Sequence, residues 1–434
     1  MINLTIRYGA FFKVVIVSSI LMILVSACGG GNSASAPSAN SLCGLGNGKA
    51  ASGDPIIVGA AVGASGGPAD FSSASKGAAA YFKCVNANGG INGRPVNYIV
   101  EDDGWNPEQS GQVSAKLVND DKVVALVGNT SFLDCAVNGK FYKDSNVVVI
   151  AGVGVPRECF ESENISPTNQ GPRLSSIGAA QYMNEKYGAK KFVCMALNIP
   201  NFGNWSCDGM AEWGKDKGIK VDQVIFDPAT MDPTSLVLQA AAFEPDAIIT
   251  TMPAPVATAL LKAAEEQDLR EKYHWFGPTS LYDLAFPSAV GSYWEGYLDV
   301  QIELVNIDST GADNQNWLKV MDGYADAKDP RDSFSQAGFL AAKIFTDTVL
   351  KLDPAKIDRA SVTDALKAVK GYKSDLLCSP WYFGPGTTHN ANHAGLMVKL
   401  EAGGKWSVTK PCFEVQDPAL APILELEKSQ GLTK

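Results

Sequence analysis

"PIIVGAAVGASGGPADFSSASKGAAAYFKCVNANGGINGRPVNYIVEDDGWNPEQSGQVSAKLVNDDKVVALVG", residues 55–128, alternates two kinds of segment. Ile56–Val62, Val96–Val100 and Val123–Val127 are short apolar runs rich in valine and isoleucine, the composition of strands. Between the first two, Ala78, Phe82 and Val85 recur at helical spacing and stop at Asn88-Gly89-Gly90, a helix exit. Between the second and third, Asn106 is an N-cap and Pro107 a first helical residue, opening a helix to about Val118. Strands and helices alternating at intervals of roughly 25–30 residues are βαβ units, so the strands lie parallel. Strands that are apolar almost throughout are buried on both faces, as in such sheets.

The same alternation runs outward from this stretch. Further strand-like runs are Val147–Ile150, Phe192–Ala196, Val221–Phe226, Ala247–Thr251, Tyr273–Phe276 and Tyr297–Val300, with Leu260, Ala263 and Ala264 marking one intervening helix. The rhythm then changes to two helices, about Asp332–Lys351 and Ser361–Val369, and a hairpin-like tail, Leu396–Leu400 with Trp406–Val408 around Gly403-Gly404. The chain has 434 residues, 46% of them hydrophobic. Single cores stop growing near ~250–300 residues, so two α/β domains are expected.

Upstream, Arg7 and Lys13 precede an apolar run from Val14 to Val25. The run is shorter than the ~20 residues of a membrane span, and a basic start with a small-residue exit reads as a secretory signal. The exit Val25-Ser26-Ala27-Cys28 resembles a bacterial lipobox, so residues 1–27 are expected to be a signal peptide and Cys28 the lipidated first mature residue. Residues 28–53, rich in Gly, Ser and Ala, follow as a flexible tether. The protein would then be extracytoplasmic, held on the bacterial cell membrane by lipid alone, in the periplasm or at the cell surface. Net charge is −10, and losing residues 1–27 makes it two charges more negative. An acidic surface excludes nucleic acid, whose binding rests on Lys and Arg contacts to phosphate.

Beyond Cys28 there are eight cysteines, an even number, which in an exported chain predicts disulfides. The nearest-neighbour set is Cys43–Cys84, Cys135–Cys159, Cys194–Cys207 and Cys378–Cys412; spacing alone does not select it among the possible pairings. No C-x-x-C occurs, which argues against a redox motif or zinc ribbon.

Ligands of open α/β sheets bind in loops at the carboxyl ends of strands. Here those loops are Asn129-Thr130-Ser131, Ala151–Pro156, Leu197–Trp205, Asp227-Pro228, Met252-Pro253 and Gly277–Tyr282. They carry hydroxyls, amides, glycines and aromatics and few charges, the chemistry of a binding pocket. Catalytic motifs are weak. Gly63-Ala64-Ser65-Gly66-Gly67 matches G-x-S-x-G, but the elbow needs an immediate helix, and this loop delays it. His389 and His393 lie four apart among Gly, Asn and Thr, the setting of a solvated loop more than of a metal site. Glu101-Asp102-Asp103 reads as a strand end or helix-cap region. Neither a cofactor nor a metal is expected.

The pieces "GASGGPA", "NANGGINGRPV", "EDDGWNPEQS" and "LVNDDKVVALVG" resemble the substrate-binding proteins of branched-chain amino acid-type ABC transporters, of the type I periplasmic binding fold. Weaker likeness continues through "NFGNWSCDGM", "WFGPTSLYD" and "EGYLDVQ", and in all covers nearly all of residues 55–410. The resemblance implies two doubly wound parallel-sheet lobes joined by three hinge crossings: residues 54–171 plus 304–378, and residues 172–303 plus 379–434. It implies a monomer that closes on a small-molecule ligand and delivers it to an ABC permease and ATPase complex. In amino-acid-binding members hydroxyls and amides of the loops matching Asn129–Ser131 and Ala151–Val155 hold the α-carboxylate and α-ammonium. A Tyr at the place of Phe202 and an acid near Asp227 complete the set.

Thr130, Ser131 and Asp227 fit that pattern. Gly152-Val153 lacks the hydroxyl, and Phe202 lacks the phenol oxygen. A buried zwitterion without partners is costly, so the ligand is expected to be amino acid-like or less polar, leaning to the latter. Ser65, Phe71, Asn201, Trp205, Met252 and Tyr282 complete the candidate ligand-binding residues. Two other readings are a surface sensor passing occupancy to a receptor and an exported hydrolase using Ser65.

Overall fold

A computed structural model describes residues 42–434. The signal-peptide and lipidation expectations, and the tether up to residue 41, lie outside the described residues. Residues 43–53 do not behave as a tether. Cys43 is buried and bonded to Cys84, and the amides of Ala51 and Gly53 donate to Asn86 O (2.8 Å) and Gly93 O (2.9 Å).

Among the described residues twelve strands form two sheets. The first contains β1 (Ile56–Val62), β2 (Val96–Asp102), β3 (Ala125–Thr130), β4 (Val149–Val153) and β5 (Ile165–Pro167), in the order 2-1-3-4-5. All its pairs are parallel. The second contains β6 (Lys191–Leu197), β7 (Lys220–Phe226), β8 (Ala247–Thr251), β9 (His274–Gly277), β10 (Leu298–Ile302), β11 (Ala394–Glu401) and β12 (Lys405–Glu414). Its order is 12-11-10-9-8-6-7, parallel from β10 to β7 and antiparallel where β11 and β12 join. A fold with two doubly wound α/β sheets is thus present.

Burial on both faces explains the unbroken apolar strands. Successive strand side chains point to opposite faces, and in β3 Ala125 and Val127 join the large core while Leu126 joins a second cluster with Leu117, Tyr142, Val149 and Phe160. On the first of these faces, helix Ser73–Ala87 crosses helix Ser333–Val349. Glycine permits the crossing: a Cβ on Gly338 would strike the Ala74 carbonyl, and one on Gly77 the Ser335 carbonyl. The distant helix thereby completes the first lobe's layer.

The chain passes between the sheets around residues 167–171, 303–307 and 392–394. Asn392 marks the last passage, since its Nδ2 donates to both Thr168 O (3.0 Å) and Glu303 O (2.9 Å). Segment 379–393 lies with the first sheet's surroundings: Trp381 Nε1 donates to Pro167 O, Phe383 N to Val369 O and His389 N to Phe160 O. The terminal helix Ala421–Gln430 returns there too, and Gly371 N donates to Leu432 O at 2.8 Å. All four nearest-neighbour cysteine pairs are joined. Among the described residues no helix is long and apolar enough to cross a membrane.

Candidate ligand-binding site

The carboxyl ends of β4, β6, β8, β9 and β10 converge on one cavity. From the first sheet's side come Phe71, Phe132, Val153 and Phe334, and from the second's Phe202, Met252, Pro253 and Pro278. Asn169 and Glu303, at the passages between the sheets, and Ser175, on the helix Gly171–Tyr187, also line it. A second cavity adjoins it at Phe71, Pro253, Thr279, Ser280 and Phe334 and continues past Ser73, Tyr282, Asp283 and Asp332.

Aromatic rings build the wall. Phe71 lies 5.1 Å from Phe132 and 5.9 Å from Phe334, centroid to centroid. Phe132 meets Phe202 edge-on at 5.0 Å, across the two sides. Behind Phe132, Trp105 stacks on it at 4.7 Å and donates Nε1 to Gly63 O. Polar bonds add to this contact. Arg157 N donates to Asn201 O at 2.9 Å, Asn201 Nδ2 bonds the Glu158 carboxylate, and Thr279 Oγ1 reaches Ser333 Oγ at 3.4 Å. The loops of the two sheets therefore touch across the cleft.

Of the residues singled out from sequence, Phe71, Val153, Phe202 and Met252 come together in the aromatic cavity, and Tyr282 lies in its neighbour. Tyr282 OH also accepts from Ile307 N at 2.9 Å, beside a passage between the sheets. The others stand elsewhere. Ser131 Oγ donates to the Asp103 carboxylate and accepts from Leu133 N and Asp134 N, which fixes the start of helix Asp134–Asp144. Thr130 is buried with its Oγ1 unpartnered, outside the cavity lining. Gly152 packs against Ala74 and Gly338. Asn201 and Trp205 line a separate polar cavity with Arg157, Glu161 and Arg173. Asp227 is exposed and accepts from Ala229 N within its own turn.

Ser65 is exposed, and its Oγ donates to Asp102 Oδ2 at 2.5 Å; Asp102 also accepts from Ala64 N and Gly104 N. That carboxylate ties one loop to another, and no histidine stands by the serine among its bonding partners. The expected solvated setting of the histidine pair is corrected: both are buried. His389 Nδ1 bonds Phe383 O at 2.6 Å, whereas His393 sits between Glu414 and Glu427. Asp103 follows the end of β2 directly, as expected of a strand end, but it is not solvated: it is wholly buried, and burial pushes its carboxyl up to about 6 against the hydrogen bonds from Ser131 and Trp105. Among the described residues no cluster could hold a metal ion.

Sequence reasoning missed Phe132, Phe334, Ser175 and Glu303. Glu303 follows β10, is buried, and accepts from Ser175 Oγ at 2.7 Å. Burial raises its carboxyl to about 7, against the lowering effect of Ser175, Asn169 and the backbone of Gly171 and Gln170.

The profile of one family, described as periplasmic binding protein, matches residues 55–405. The chain belongs to the periplasmic binding protein family. A curated amino acid binding protein of Pseudomonas aeruginosa is 29% identical over 96 residues, a match spanning 22% of this chain and 26% of that one. Solved structures match at greater length. An ABC transporter substrate-binding protein of Aeropyrum pernix superposes with a TM-score of 0.73 at 14% identity, over 84% of this periplasmic binding protein and 98% of that chain. A branched-chain amino acid transporter substrate-binding protein of Streptococcus pneumoniae, in complex with isoleucine, gives 0.69 at 16%, over 82% and 100%. A solute-binding protein of an ABC transporter from R. palustris, in complex with benzoate, gives 0.69 at 19%, over 84% and 99%. The likeness extends to the fold of two α/β sheets.

Proposed function

We propose that this periplasmic binding protein captures a small, largely apolar organic solute between two lobes and delivers it to an ABC import permease and ATPase. The lobes are residues 54–171 with 304–378, and 172–303 with the C-terminal part, segment 379–393 and the terminal helix Ala421–Gln430 counting with the first. Closure about the passages between them is the hinge motion that encloses a ligand. In this reading the chain is extracytoplasmic, monomeric and anchored through a lipid on Cys28.

The aromatic cavity carries the proposal. Where the resemblance implies hydroxyls in amino-acid-binding members, this chain has Val153 and Phe202, both lining the cavity beside Phe132, and the Ser131 hydroxyl is already committed to Asp103 and a helix start. A zwitterion there would lose water without replacement. Benzoate and isoleucine, held by proteins of the same fold, mark the size of solute in view. Thermal unfolding of the purified full-length chain against aromatic, aliphatic and amino-acid solutes tests the reading. A solute at a hundred times its dissociation constant stabilises by ~2.7 kcal/mol. Substituting Phe202→Ala removes that stabilisation; its survival in the variant would sink the cavity assignment.

A further inference from the structure

We infer that the solute carries an amino group: the cleft suits an aromatic or branched aliphatic amine whose ammonium faces Glu303. The inference rests on the proposal that this cleft is the solute site, and it names the solute's polar end. Among the described residues Glu303 is the one ionisable side chain lining the aromatic cavity, and it is 3% exposed. The neighbouring polar groups are largely spent within the protein. The Asn169 amide bonds both Gly154 N (2.7 Å) and Gly154 O (3.1 Å), Ser280 Oγ donates to Met252 O, and Thr251 pairs with Ser176.

Charge in the adjoining cavity points the same way. Asp70, Asp283 and Asp332 line it, against a single cation, Lys76, whose Nζ is 3.6 Å from Asp70. A carboxylate solute entering here would meet acids of its own sign and no free cation among the lining residues, and would pay its desolvation uncompensated. An ammonium would meet a buried carboxylate and the electron-rich faces of aromatic rings, which attract cations most strongly once water is excluded. Its charge would also offset the desolvation that now pushes the Glu303 carboxyl up to about 7.

The test is titration calorimetry on the full-length chain with amine, carboxylate and alcohol probes on phenyl, branched and linear skeletons. Benzylamine, benzoate and benzyl alcohol form the first set. On the skeleton that fits, the amine should bind at least about tenfold more tightly than its carboxylate and alcohol counterparts. Glu303→Gln should remove that preference while leaving the alcohol's affinity unchanged. A carboxylate that outbinds its amine overturns the inference and leaves the cleft assignment standing. So does an amine affinity that survives in Glu303→Gln. The comparison among probes in the unaltered chain stands by itself if the variant fails to fold. Silence from every probe overturns both the inference and the cleft assignment.

Discussion

His393 is held between two carboxylates, with Nδ1 on Glu414 and Nε2 2.8 Å from Glu427, which also accepts from Tyr382 OH at 2.9 Å. Burial opposes charge on the ring, but the two glutamates outweigh it and lift its pKa from 6.5 to about 9. A group whose pKa rises on folding stabilises fully below its unfolded pKa and loses that contribution as pH climbs through the folded one. The arrangement therefore supports the fold at pH 6.5 and releases it near pH 9, by up to about 3 kcal/mol. Unfolding midpoints should fall between pH 7 and pH 10 in the native chain and stay flatter in His393→Gln. Equal slopes would mean the ring is neutral in the fold. Asp103 and Glu303 have pKa values raised by burial, so their protons leave at higher pH than usual.

At the scale of elements, the crossing of Ser73–Ala87 with Ser333–Val349 fixes the first lobe. A methyl at Gly338 cannot fit beside the Ala74 carbonyl, so the helices would have to separate. Overpacking of this kind costs about 1–3 kcal/mol. Gly338→Ala should lower the urea midpoint accordingly, whereas Gly323→Ala, facing open space on the helix Ala312–Tyr324, should not. Similar midpoints for both would show that the crossing has slack. Most elements were legible because their apolar runs exceed what a surface loop contains; β8 begins and ends where its composition predicts. β5 was not, since Ile165-Ser166-Pro167 is three residues long and contains a proline. No local pattern reveals that residues 43–53 are docked, because what docks them is Cys84 and the turn at Gly93, far along the chain.

Over the whole molecule, half of the aromatic cavity was readable and half was not. Val153 ends β4, and Phe71, Phe202 and Met252 sit on loops that directly precede helices or follow strands, where ligands of this architecture bind. Phe334 reaches the same place only because its helix crosses the first lobe, and Glu303 looks in sequence like any acid at a strand end. Ser131 was misleading for a related reason: a hydroxyl at a strand end serves equally well as a helix cap, and only its neighbours decide. The four disulfides work at this scale too. Cys378–Cys412 joins the segment after the last first-lobe helix to β12, a separation of 34 residues. Peptide mapping without reduction should recover all four pairs as joined here. Replacing both members of that pair by serine should cost about 2–4 kcal/mol; an unchanged unfolding temperature would show the junction is held by packing alone. The contacts between Arg157, Asn201 and Glu158, and between Phe132 and Phe202, are made by the protein to itself. Under the proposed function a captive solute would leave once they part. They would then act as a clock for the occupied state: the cavity wall would decide which molecule is carried, and this clasp how long it stays aboard.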